Sequence, residues 1–178
     1  MALTLTKETG SGMTDANSYA DVTDGDSYHD GHLYATAWTG ASEGEKAAAL
    51  VMATRLIDAE VKFRGIKSVG GQALQWPRAG CRDEDAEVTI FGGGFVGVCS
   101  VPAPVVAATC ELARGLLIVD RTSAPDGEGL KYANVGTTQT GYDAKDRRPI
   151  LPALVQSLLG KFGSVVKSRS GLARVVRV

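Results

Sequence analysis

Histidine, cysteine and aromatic residues are scarce in this chain of 178 residues. The two histidines are His29 and His32, and the three cysteines are Cys81, Cys99 and Cys110. Three widely spaced cysteines fit reduced thiols better than a disulfide framework or a zinc site. No apolar run approaches the length needed to cross a bilayer, so no membrane partner is expected. The opening "MALTLTKETGSG" lacks a charged region followed by an apolar stretch, so no secretory leader is expected either.

Net charge is also small, at −1, but it is unevenly spread. From Arg147 to the end there are seven basic side chains and no acidic one, whereas residues 1–146 hold 12 basic and 20 acidic groups, a balance of −8. An acidic body with a basic tail is an interaction pattern. The tail carries Lys167, Arg169, Arg174 and Arg177, with Val175 and Val176 between the last two. Its end, "ARVVRV", is β-branched and alternates weakly, which suits addition of a strand to a partner's sheet or docking on an acidic protein surface. The other option is phosphate contact with nucleic acid, but the basic tail holds only one aromatic, Phe162, for base stacking.

What is plentiful is helical patterning and glycine. A first helix is expected from Asp21 through "SYADVTDGDSYHDGHLYATAW", capped by Asp21 and weakened by Gly25 and Gly31. A second spans "SEGEKAAALVMATRLIDAEV", with Ala47, Leu50, Val51, Thr54, Ile57 and Val61 on one apolar stripe. Residues 62–101 read as loops, including "RDEDAE" and "FGGGFVG". A third helix is expected to start at Pro102, with Val105, Thr109, Leu112 and Leu116 on one side. A hairpin near 131–142 turns at Gly136, with Tyr132, Val135 and Tyr142 in or near its arms. A fourth helix, "LPALVQSLLG", closes at Gly160. The expected fold is therefore mainly α: a small bundle of about four helices with long loops, a short hairpin and an extended basic tail. Residues 1–160 form the helical domain and 161–178 the tail.

No catalytic constellation emerges. "GASEG", residues 40–44, matches the G-x-S-x-G nucleophile elbow, but no strand precedes it. Ser42 is instead followed three residues later by Glu45 at the start of a strong helix, which is a capping box. His29 and His32 share a helical face with Asp26, and Asp30 lies beside them, but a third firm ligand and a buried surround are missing. "FGGGFVG" lacks the Lys-Ser/Thr of a phosphate loop, and "RDEDAE" lacks the register of a calcium hand. No enzyme activity, cofactor or metal is expected.

The remaining oddity is "QALQWPRAG", residues 72–80. Pro77 forces Trp76 toward an extended backbone, so a large apolar side chain sits in a segment without regular structure. Burial of Trp76 against the helical core, with Pro77 fixing direction and Arg78 near a subunit seam, is the expected role. This segment, with "ETGSGMTDANSYADV", "EKAAALVMATRLIDAEVKFRG" and "VPAPVVAATCELA", resembles the head–tail adaptor (head-completion, connector) proteins of tailed bacteriophages, many of which are labelled DnaT-like single-stranded-DNA-binding proteins. Phe63 stands where that family often has Trp, and "RDEDAEVTIFGGGFVGVCS" is longer than its usual loop. The resemblance implies a homo-oligomeric ring, usually a dodecamer, beneath a portal protein at the virion neck, assembled in the host cytoplasm. Such a ring extends the channel for double-stranded DNA and offers a docking surface to a tail or stopper protein. The basic tail would then hold the portal. Single-stranded-DNA binding in replication is the alternative that the label suggests.

Overall fold

The computed structural model describes residues 3–83, 94–123, 132–135, 138–141 and 149–166. Among them are five helices: α1 (Val22–Asp30), α2 (Thr36–Thr39), α3 (Glu43–Glu60), α4 (Ala103–Ile118) and α5 (Ala153–Leu159). Six short strands, β1 (Val61–Phe63), β2 (Ile66–Lys67), β3 (Arg78–Ala79), β4 (Tyr132–Val135), β5 (Thr138–Gly141) and β6 (Gly163–Val165), form three two-stranded antiparallel sheets. The expectation of a mainly α bundle is corrected to a mixed α/β fold. The cause lies in residues 62–101, expected to be loops, where β1, β2 and β3 follow α3 directly. They were hidden because strands of two or three residues are too short to show a period of two.

The long helix α3 packs on α4, and α5 packs on α4 as well. α3 begins where its sequence says it should. The Ser42 hydroxyl accepts from the Glu45 amide, and the Glu45 carboxylate accepts from the Ser42 amide at 2.8 Å. Ala49, Leu50, Val51, Ala53, Thr54, Leu56 and Ile57 are buried along it, a wider face than the expected stripe. Small residues at 49 and 53 let neighbouring segments approach closely. Pro102 caps α4 from just outside it, and Val105, Thr109 and Leu112 are buried.

The first expected helix is divided. α1 carries an Asp21–Asp24 capping box and ends at Gly31, and a separate turn, α2, brings in Trp38. Gly25 explains the close fit: a β-carbon there would lie 2.3 Å from Trp38 Cζ2. The two arms of the expected hairpin are present as β4 and β5, while Gly136 and Tyr142 lie outside the described residues.

Residues 161–166, assigned to the tail by sequence, belong with the packed body. β6 pairs with β1, matching Val61 to Val165 and Phe63 to Gly163. Only a glycine fits at 163, since a β-carbon would stand 2.7 Å from the Lys62 carbonyl oxygen.

Candidate nucleic-acid interface

Trp76 is fully buried, following the rule that a large apolar side chain in an irregular segment needs a core contact. Its indole meets Phe63 of β1 and Phe162 beside β6 edge-on, with ring centroids 5.6 and 5.7 Å away. The bond to Pro77 is cis. The Tyr19 hydroxyl donates to the Asp58 carboxylate at 2.5 Å and accepts from the Gln75 and Trp76 amides at 3.1 and 3.2 Å. The second Asp58 oxygen accepts from the Gln75 amide at 3.0 Å. Burial pushes the Asp58 carboxyl up to about 6, against the opposing pull of the Tyr19 hydrogen bond. Burial also raises the Tyr19 phenol well above its ordinary value. Three segments singled out in the sequence, around Tyr19, Asp58 and Trp76, thus close one buried knot.

Arg78 fastens this knot to β1. Its guanidinium donates to the Arg64, Gly65 and Gln75 carbonyl oxygens at 2.8, 2.7 and 3.1 Å. Those donors are spent within the chain. With its carbonyl held, Arg64 directs its own side chain outward.

Strand alternation then sorts β1 cleanly. Val61 and Phe63 are buried, whereas Lys62 and Arg64 are exposed. Arg64 Nη1 donates to the Lys161 carbonyl oxygen at 3.3 Å, placing Arg64 beside the start of β6. Lys161 is exposed and lies 3.4 Å from Asp83. The neighbouring Arg82 is exposed too, and its rung is tied to this sheet where the Cys81 thiol meets the Phe162 carbonyl oxygen at 3.8 Å. Arg82 pairs across an antiparallel bridge with Phe95, and its guanidinium carbon sits 6.0 Å from the Phe95 ring. Lys62, Arg64, Arg82 and Lys161 therefore form a basic edge that sequence reasoning missed. No sequence pattern could have revealed it, because the residues come from three separated segments.

The other candidates are accounted for differently. Asp26 accepts from the Trp38 indole at 2.8 Å and from Lys46 at 2.7 Å, and both partners hold its carboxyl below the usual range. His29 is buried, and its Nε2 faces the Cys110 carbonyl oxygen at 3.2 Å. Desolvation lowers its pKa. The Tyr34 amide donates to His32 Nδ1 at 3.0 Å, leaving Nε2 to face Glu111 at 3.6 Å. Among the described residues no three acidic, histidine or cysteine groups come together to hold a metal. Burial raises the Cys110 thiol to about 12 and also raises the Cys81 thiol, which opposes nucleophilic roles.

A cleft of about 750 Å³ between the N-terminal segment, α1 and α4 is lined by Lys7, Asp24, Tyr28, Ser100 and Val106. Its lysine is paired with Asp21 and Asp24, at 3.5 and 2.5 Å. The tail residues Lys167, Arg169, Arg174, Val175, Val176 and Arg177 lie outside the described residues, as do Phe91 and the acidic positions 84, 85 and 87. No described helix is long and apolar enough to cross a membrane.

No curated protein and no solved structure gives a significant match to the chain. A family model does, along residues 3–178, and its description agrees with the DNA-binding alternative drawn from the sequence rather than with the adaptor reading. The chain belongs to the family described as "Putative DnaT-like ssDNA binding protein".

Proposed function

We propose that the protein binds single-stranded DNA without sequence preference, by phosphate contacts along the edge formed by Lys62, Arg64, Arg82 and Lys161. The adjacency of the segments that carry these four exposed cations, with Arg64 beside Lys161 and Lys161 beside Asp83, is the observation that carries this reading. Family membership supports it. The sequence beyond β6 adds Lys167, Arg169, Arg174 and Arg177. The protein acts as a binding module and performs no chemistry on the DNA.

Anisotropy of a labelled oligonucleotide, titrated at several salt concentrations, tests the reading. Each phosphate neutralised on a single strand contributes a slope of about −0.7 in log affinity against log salt, so four edge contacts give about −3. The full chain is expected to match or exceed that slope. Absence of binding at low salt would overturn the reading.

A head–tail adaptor ring is the second reading, favoured by a rigid apolar knob. Leu33 and Tyr34 are 85% and 72% exposed, although their loop is held by the Tyr34 amide to His32 and by Arg114 to the Tyr34 carbonyl oxygen. Fixed apolar side chains in solvent suit a repeating contact between copies. Light scattering and electron microscopy, with and without portal rings, decide it: a closed ring supports the adaptor, and a persistent monomer that fails to join portals refutes it.

A further inference from the structure

Phe95 is about half exposed. It is also not loosely placed. The Asp83 amide donates to the Gly94 carbonyl oxygen at 2.8 Å and the Val96 amide to the Cys81 carbonyl oxygen at 2.9 Å, so the backbone is pinned on both sides of the ring. Val96 points into the core, which by alternation turns Phe95 outward. Gly94 precedes it and brings no side chain to shield the ring.

Arg82, its bridge partner, lies on the same side of this short ladder. One rung therefore presents a half-exposed aromatic ring and a planar cation that lies over one of its faces. These are the two components that single-strand recognition combines: stacking for an unpaired base and a charge for the adjoining phosphate. A paired base inside a duplex has both faces covered and cannot use the ring.

We infer that Phe95 is the base-stacking platform of the basic edge, with Arg82 holding the adjoining phosphate, and that this pair makes the site prefer single strands to duplex. The inference rests on the DNA-binding reading above. The stacked base can be any of the four, since each has a π-face, so the platform discriminates strandedness and not sequence.

The test uses full-length wild type, Phe95→Ala and Phe95→Tyr, with a 2-aminopurine oligonucleotide and a duplex of equal length. Stacking on the ring predicts about a tenfold loss of single-strand affinity in Phe95→Ala, with the salt slope unchanged. It also predicts recovery in Phe95→Tyr, unchanged duplex binding, and a 2-aminopurine signal change that the alanine variant lacks. Phe95→Ala binding single strands as wild type does would overturn the platform and leave the basic edge standing. Equal losses on single strand and duplex would overturn it too, by showing that the ring only positions Arg82. Failure of wild type to bind single strands would remove both readings together.

Discussion

Two neighbouring regions, the Trp76 knot and the basic edge, share strand β1 and use it in opposite ways. Phe63 turns inward to pack on Trp76, while Lys62 and Arg64, one position to either side, face solvent. In the knot, Tyr19, Asp58 and Arg78 direct their polar groups to named partners within the chain. Along the edge Lys62, Arg64, Arg82 and Lys161 are exposed, with Lys161 beside Asp83 and Arg64 on the Lys161 carbonyl oxygen. The comparison shows that the Trp76-Pro77-Arg78 segment serves architecture, while the lysines and arginines of the neighbouring strand stay at the surface.

The comparison is broken most severely at Trp76. Trp76→Ala removes a fully buried indole from between Phe63 and Phe162 and should cost about 3–5 kcal/mol in urea unfolding. An unchanged melting temperature would remove the anchoring role. Tyr19→Phe removes the acceptor that the Gln75 and Trp76 amides share and one donor to Asp58, which keeps its bond from the Gln75 amide. A loss of about 1–3 kcal/mol is expected, read by the same unfolding curves. Substitution on the edge should act the other way round. Arg64→Gln should hardly alter stability but should reduce the salt slope of DNA binding by about 0.7. A large shift in melting temperature with an unaltered slope would reverse the roles assigned to the two regions.

Away from both, Ser42→Ala should cost about 1 kcal/mol through loss of the cap, with no change in DNA binding. A serine-reactive probe should leave Ser42 unlabelled. The subtlest test is titration of Asp58. Its folded pKa, about 6, lies above the ordinary 3.8, so the protonated form is favoured in the fold. Its contribution to stability is therefore complete below about 3.8 and is lost as pH rises through about 6. Asp21, Asp26 and Glu45, whose values are lowered, work in the opposite direction. Carboxyl NMR separates them: the Asp58 resonance should titrate near 6, and a midpoint near 4 would show that water reaches the carboxylate in the fold.

The difference between the regions also explains what could be read in the sequence. The α3 cap was legible because both partners, Ser42 and Glu45, lie within one turn. Burial of Trp76 was legible because an indole followed by proline in an irregular segment leaves few alternatives. The basic edge was not, because Arg64 and Lys161 meet only when β1 finds β6 far along the chain. Phe95 was likewise hidden. Its partner Arg82 stands on the far side of a glycine-rich insertion, and only the backbone pairing brings the two side chains together. The strands that convert a helical expectation into a mixed fold were lost for the same reason: their order comes from long-range pairing rather than from local alternation.

The glycine-containing segment after Glu8 carries one more consequence. The buried Glu8 carboxylate receives the Gly10 and Gly12 amides at 2.8 and 3.0 Å on one oxygen and the Met13 amide at 2.8 Å on the other. A crown of backbone donors around a negative group is the arrangement by which many proteins seize an external anion. Here the tenant is covalently attached, so the vacancy is filled before any solute arrives. Shortening the side chain, as in Glu8→Ala, would evict that tenant, and acetate or formate in the buffer should then restore the lost thermal stability by taking up the lease.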